Sequence, residues 1–435
     1  MNRRSKHAAI DHPEAPQRRR LRILLSAYSC EPDKDAEPDS AWRWAVGLAH
    51  AGHEVWVITR AASATAIERA LAGRRDVNVQ VIYYDAPAWA HSWRRGAPDY
   101  SMLWEWGAYR LARRLCRTTR FDIVHHVTFG VFRDPSFMAF LGVPFVFGPV
   151  GGGEAAPRAL RKTFPLRGRV VDRGRDVANW MVCLDPLMAA VYRRAAAILC
   201  KTGETRDAIP ARYRDKCRVQ LEVGIDDPGE RLIQPRPREK GRFRVLYVGR
   251  LAYPKGVHLG LAALARLRTT HPEATFTIIG SGPDEAWLRR AARHFGVADA
   301  VSWIPQLDRA GVMRAYAGHD AFLYPSLHES SADAVLDALS RGLPVVAIAA
   351  GGPAALADSP CALLVPPGEP GETVAALAGA LARIAEDTAL ARSMVDAAVR
   401  RARQHYGRDR EVARMEQLYR TALRVPPSGG AEATQ

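Results

Sequence analysis

Twice along this chain, strand-sized apolar runs alternate with helical stretches. The first series is RILLSAY, EVWVITR, VNVQVIYY, FDIVHHV and PFVFGP, spaced by segments such as AWRWAVGLAHAGH; the second opens after residue 240 with FRVLYVGR, ATFTIIGSG, VSWIPQ, AFLYPS and PVVAIAAGG. Strands separated by helices cannot close as hairpins, so each series predicts a largely parallel sheet covered by helices. A chain of 435 residues exceeds one ordinary core, and the two series divide it into two Rossmann-like α/β domains. The expected layout is a disordered basic arm over 1–20, a first domain over 21–225, a linker over 226–242 (DDPGERLIQPRPREKGR), a second domain over 243–400, a C-terminal helix over 401–425 returning toward the first domain, and a disordered tail over 426–435.

Charge and cysteine usage narrow the class. Of the formal net charge of +16, +10 falls in residues 1–230, where 36 basic residues meet 26 acidic ones. Part of the excess is RALRKTFPLRGRVVDRGR, in which Arg158, Arg161, Lys162, Arg167, Arg169, Arg173 and Arg175 accompany only Asp172. Such a patch suits a polyanion, an anionic membrane surface or a phosphorylated substrate, or is simply a solvated face. No nucleic-acid motif or aromatic stacking array accompanies it, so we expect no nucleic-acid partner. The six cysteines, Cys30, Cys116, Cys183, Cys200, Cys217 and Cys361, show no C-x-x-C or metal spacing. They read as isolated buried thiols in a reducing compartment, without disulfides and without a metal. The longest apolar run near the amino terminus, LRILLSAY, is strand-sized, and no stretch approaches 18 apolar residues, so the expected location is cytoplasmic.

In open parallel sheets, ligands bind outside the carboxyl ends of strands, and two such domains offer two facing sets of ends. The segment LYVGRLAYPKG sets Arg250 just past a strand and Lys255 in the next loop, two cations suited to phosphate oxygens, with Gly249 and Gly256 admitting close backbone approach. The segment LYPSLHESSADAVLDALSRGLPVVAIAAGGP reads as strand, loop, helix and strand, with Glu329, Asp333 and Asp337 in and before one short helix. Ser330 is expected to cap that helix, with Asp333 completing a short capping box, and the first-turn amides form an anion site. Like charges at Asp333 and Asp337 repel unless a cation or a hydroxyl-rich ligand compensates them. A diphosphate between Arg250, Lys255 and the helix amides, with sugar hydroxyls against the carboxylates, meets these requirements: the expected ligand is a nucleotide diphosphate sugar.

These motifs resemble family 4 of the retaining glycosyltransferases, which have the two-domain architecture called GT-B. The resemblance runs from about Leu21 to Leu423 through AVGLAHAGHEVWVITR, FDIVHHVTFG, GPVGGGEAAP, AAAILCKTGETRDAI, LEVGID, YVGRLAYPKGVHLGLAAL, IIGSGP and HESSADAVLDALSRGLPVV. The last is similar to the family's E-x7-E motif. The resemblance implies that Glu329 binds donor-sugar hydroxyls, Asp337 the ribose, and Arg250 with Lys255 the diphosphate, assisted by Ser330, Ser331 and Ala332, with the base near Ile304, Pro305 and Gln306. It implies His126, or alternatively His125, beside the donor sugar, and His125, Gly151, Gly152, Gly153 and Arg158 on the acceptor side. The catalytic set is then His126, Glu329, Arg250 and Lys255. The implied reaction moves a sugar to an acceptor hydroxyl with retention, without metal or other cofactor, the acceptor being a growing glycan or a polyprenyl-diphosphate-linked one in polysaccharide biosynthesis.

Two departures from the family pattern stand out. The second acid is the shorter Asp337, and YSCEPDKDAEPDSAWRW places Asp35, Asp39 and Ala41 where a glycine-containing loop is usual. They keep alive a second reading, a catalytically weakened homologue acting as a partner or scaffold.

Overall fold

A strand buried on both faces carries apolar residues throughout, and the strands of both series are of this kind. In the computed structural model, which describes residues 19–424 except 33, 35, 75–76, 88–98, 129, 221–241, 332, 357–359 and 406–407, they form two all-parallel sheets. The first contains β1 (Arg22–Ala27), β2 (Glu54–Thr59), β3 (Val79–Tyr83), β4 (Ile123–Thr128), β5 (Phe145–Val150), β6 (Ala195–Cys200) and β7 (Cys217–Val219), in the order β3-β2-β1-β4-β5-β6-β7. The second contains β8 (Phe243–Val248), β9 (Ala274–Ile279), β10 (Val301–Ile304), β11 (Ala321–Tyr324), β12 (Val345–Ile348) and β13 (Ala362–Val365), in the order β10-β9-β8-β11-β12-β13. β4 and β5 are buried at every position. The fold is α/β with two Rossmann-like sheets, as the two series of strands required.

Both sheets reverse strand order at the same place in their topology, between β1 and β4 and between β8 and β11. A crevice opens at such a switch point, because the connections on either side leave in opposite directions. Arg250 and Lys255 follow β8 and Glu329 follows β11, so the topology puts these side chains on the two banks of one crevice.

The final helix, Arg408–Ala422, packs on the first domain rather than the second. Met415, Tyr419 and Ala422 are buried in the same core as β1 and the helix Ala36–His50. Trp44 Nε1 donates to Glu411 Oε1 at 2.6 Å, and His53 Nε2 lies 3.1 Å from Glu416 Oε1. Burial pushes the Glu411 carboxyl up to about 8, against the opposing effects of the Trp44 hydrogen bond and of Arg43 and Arg414.

Several expectations need correcting. The strands β6, β7 and β13 were not anticipated. The sequence of β6, AAAILC, is alanine-rich and has helical propensity, which burial between two neighbouring strands overrides, and β7 is only three residues long. Asp39 and Ala41 lie within the helix Ala36–His50, where Asp39 pairs with Arg43, so most of the supposed loop is helical. None of the six cysteines forms a disulfide, but Cys183 is exposed and Cys116 half-buried. The linker through residue 241, the arm through residue 18, the tail, Asp35 and Ala332 fall outside the described residues.

Candidate active site

The second domain's wall is built on the end of β8 and the end of β11. After β8 the chain passes exposed Arg250, whose guanidinium meets no hydrogen-bonding or ionic partner among the described residues, and makes a 3-10 turn over Tyr253–Lys255. Gly256 ends that turn at φ +64, and a Cβ there would stand 1.9 Å from the Pro325 carbonyl oxygen. Only glycine fits, and the turn is thereby pressed against the loop leaving β11. Across that contact Lys255 Nζ pairs with Glu329 Oε2, which also accepts from Tyr324 OH and, at 3.3 Å, from Ser326 Oγ. Glu329 is 7% exposed, so a carboxylate there requires such donors. Burial first, then the Glu329 charge, pushes the Tyr324 phenol well upward, keeping it a donor.

The other two acids are handled differently. Asp337 is held by Arg309 in a two-pronged pair, both contacts at 3.2 Å; no motif points to this partner 28 residues away. Asp333 is half-buried with its carboxyl turned inward, and burial pushes that carboxyl up to about 6 although Ser331 Oγ donates to Oδ2 at 2.9 Å. Its Oδ1 has no hydrogen-bond partner among the described residues. The expected repulsion between Asp333 and Asp337 is thus relieved by burial of one and an arginine on the other. The expected capping box is not formed: the helix begins at Asp333 itself and runs to Ser340, and Ser330 turns away from it. Ile304 closes β10 and accepts the Gly280 amide at 2.9 Å, and Gln306 is exposed just beyond, both at the carboxyl end of the edge strand.

Ser330 instead reaches the first domain. Its hydroxyl donates to Glu154 Oε2 at 2.9 Å, and a Cβ on Gly151 would sit 2.5 Å from the Ser330 Cβ, so the Gly151–Gly153 stretch brings the two domains' backbones together. Glu154 also accepts from the Gly152 amide at 2.8 Å and from the Thr202 and Thr205 hydroxyls at 2.7 Å each. Burial raises its carboxyl, but these hydrogen bonds outweigh it and the net direction is downward. A second bridge joins the Gly351 amide to Glu204 Oε1 at 3.1 Å. Exposed Arg158 opens a short helix after the glycines.

Neither histidine faces the crevice. His125 is 0% exposed, its Nδ1 2.7 Å from Tyr419 OH and its Nε2 2.5 Å from the Gly148 carbonyl oxygen. Burial drives it down to about 3, so it is a neutral core residue joining β4 to the C-terminal helix, and the acceptor-side expectation for it fails. His126 is 3% exposed, packed on Phe147, with Nδ1 3.5 Å from Glu105 Oε1. Consecutive strand residues point to opposite faces, and here both faces are covered by protein.

What sequence reasoning missed is a cationic group on the first domain's side. Arg133 Nη1 donates to Asn179 Oδ1 at 3.0 Å, and Asn179 Nδ2 to the Gly152 carbonyl at 2.9 Å. Arg175 lies close by; burial, and the like charge of Arg133, act against its guanidinium, and its Nη2 is buried without a hydrogen-bond partner among the described residues. His328, in the second domain's loop after β11, stands within reach of these charges. Burial first, then Arg175 and Lys255, pushes it down to about 3, and its buried Nε2 has no hydrogen-bond partner among the described residues. Residues from both domains thus act on one imidazole. Only the density of arginines in residues 158–175 hinted at this, and that patch proves partly compensated: Arg161 pairs with Asp172 and Asp176, and Lys162 with Glu369.

Residues 230–401 match the family described as glycosyl transferases group 1. The chain is 30% identical over 334 residues to the 2-deoxystreptamine N-acetyl-D-glucosaminyltransferase of Streptomyces fradiae, covering 73% of this chain and 75% of that one. It is 29% identical over 325 residues to glycogen synthase of Mycobacterium tuberculosis, covering 70% and 72%. Its fold is similar to the catalytic domain of starch synthase IV from Arabidopsis thaliana, solved with ADP and acarbose, at a TM-score of 0.64 and 15% identity over 93% of this chain and 100% of that one. Two Rossmann-like sheets, a cation-carboxylate pair at the switch point of the second and these relatives agree: the chain belongs to the group 1 glycosyl transferases and is a GT-B glycosyltransferase.

Proposed function

We propose that the protein is a retaining, family 4 enzyme that transfers a sugar from a nucleotide diphosphate sugar to the hydroxyl of a lipid-linked or growing glycan at the cytoplasmic face of a membrane. The domain over 243–400 binds the donor and the domain over 21–225 the acceptor. The observation that carries the reading is the Lys255–Glu329 pair at the crevice between β8 and β11, with unpartnered Arg250 beside it. A diphosphate that draws Lys255 toward itself frees Glu329 Oε2 for sugar hydroxyls, so phosphate and sugar are recognised together. Arg250, Lys255 and the first-turn amides then stabilise charge developing on the departing diphosphate, a role that needs no divalent metal. On the acceptor side, Arg133 and Arg175 suit the phosphates of a lipid diphosphate carrier.

The test is a panel of nucleotide sugars assayed for thermal stabilisation and for donor turnover, with the anomeric configuration of the product read by NMR. Stabilisation by one nucleotide series, turnover and a retained anomer support the reading; an inverted anomer overturns the retaining mechanism. The burial of both His125 and His126 favours a second reading, a weakened homologue serving as a partner, and absence of turnover despite donor binding selects it.

A further inference from the structure

Among the described residues, seven of the eleven exposed large hydrophobic side chains lie between Leu166 and Leu184, with exposures from 51% at Val171 to 77% at Leu166. The segment is the helix Leu166–Met181 and the short 3-10 turn Val182–Leu184 that follows. Six of the seven, Leu166, Val170, Val177, Trp180, Met181 and Leu184, recur three, four or seven apart, so they form one stripe along the helix. Exposed Arg173 lies within the stripe, and exposed Arg167 and Arg169 flank it. The opposite face faces the protein. A Cβ on Gly168 would touch the Tyr253 ring at 3.0 Å, Asp172 pairs with Arg161, Arg175 is largely buried, and Asn179 holds the Gly152 carbonyl.

Exposing so much apolar surface on a helix in water is unfavourable, and something is expected to cover it. We infer that this helix lies in the headgroup region of an anionic bilayer, with its apolar stripe inserted among the acyl chains and its arginines on the lipid phosphates. The charge pattern selects this occupant. In a two-fold contact between copies the same arginines would face each other, and like charges would oppose association. The acids of the helix, Asp172 and Asp176, are both paired with Arg161, so among the described residues the charges left without an ionic partner beside the stripe are arginines. From Leu166 to Met181 the stripe runs about 22 Å, suiting a helix lying in the interface plane; no described helix is long and apolar enough to cross a membrane. The inference extends the transferase reading by naming where the acceptor is met. Arg175 and Asn179, on the reverse of the inserted face, border the Gly151–Gly153 stretch, so a lipid-borne acceptor has a short path from bilayer to crevice.

The experiment uses the full chain with vesicles of phosphatidylcholine alone or mixed with phosphatidylglycerol, at low and high salt, beside the double variant Val170→Asp/Val177→Asp. Both positions are exposed, so folding, checked by thermal melting, and ADP or UDP binding should be unchanged. The wild type should sediment with the mixed vesicles and, because apolar insertion is not screened, keep part of its binding at high salt. The double variant should bind at least about tenfold more weakly. No binding of the wild type to mixed vesicles, equal binding by the variant, or a solution dimer that the same substitutions dissociate overturns the inference. Intact nucleotide binding without membrane binding refutes docking alone, whereas membrane binding without nucleotide binding refutes the donor reading alone.

Discussion

Two buried glutamates, Glu329 and Glu154, stand on opposite walls of the crevice and are satisfied by different chemistry. Glu329 has a lysine among its donors, and all of its partners belong to the second domain. Glu154 is held by neutral donors, two threonine hydroxyls and an amide of its own domain plus Ser330 of the other. The difference separates a working contact from a fixed one. A lysine on a flexible stem can be shared with an incoming anion, which leaves the carboxylate needing new hydroxyl donors. A carboxylate bound by dipoles gains nothing from an anionic ligand and acts as a clamp between the domains.

The contrast breaks most visibly at Lys255. Lys255→Ala removes a charge-assisted contact to the diphosphate and is expected to cost roughly 2 to 4 kcal/mol of transition-state stabilisation, read as kcat/KM. It also leaves Glu329 buried without its cation, so adding Glu329→Gln should recover thermal stability without recovering turnover. Recovery of both would make the pair structural. Glu154→Ala should behave oppositely: about 2 to 3 kcal/mol of stability lost in denaturant titration, because threonine hydroxyls and an amide are left unpaired, with nucleotide affinity little changed in the protein that remains folded. A nucleotide affinity that falls with stability would move Glu154 into the donor site.

Asp337 and Glu329 sharpen the same distinction on the donor side. Asp337→Ala should weaken nucleotide diphosphate and nucleotide sugar alike by roughly 1 to 3 kcal/mol, whereas Glu329→Ala should spare the diphosphate and depress turnover. Calorimetric titration of both variants with both ligands separates the roles, and equal losses for Glu329→Ala would assign it to loop anchoring. The remaining effect concerns pH. The folded Glu411 carboxyl, raised by burial to about 8, binds its proton over a range where the unfolded chain has released it. Stability is therefore lost as pH rises from the ordinary carboxylate range through about 8, by at most about 1.4 kcal/mol per pH unit. Glu411→Gln should flatten the melting profile between pH 6 and 8; an unchanged slope would show that Glu411 is ionised in the folded protein.

How much of this was legible in the sequence follows from the range of each interaction. The alternation of strand and helix is local, and it yielded both sheets apart from β6, β7 and β13. The second-domain site was legible where motif residues sit a few positions past a strand: Arg250, Lys255 and Glu329 stand at the same switch point because chain topology puts them there. Side-chain partners were not legible. Arg309 on Asp337, Ser330 on Glu154 and Tyr419 on His125 join residues 28, 176 and 294 positions apart, and no periodicity reports a contact of that kind. The histidines were misjudged for a related reason. A position at a strand's end says where the backbone stops, while the side chain's surroundings depend on helices that arrive much later in the chain.

The last of those helices sets a constraint on the order of events during synthesis. Met415, Tyr419 and Ala422 fill the core of a domain whose first strand is made some four hundred residues earlier. The ribosome must release the chain through about residue 422 before that core can close, so the first domain waits with Trp44 and His125 unmet while the second, whose strands are contiguous in sequence, can already fold. A nascent chain truncated before residue 408 should accordingly hold a folded second domain and a chaperone-dependent first one, and supplying Arg408–Ala422 as a separate peptide should complete it.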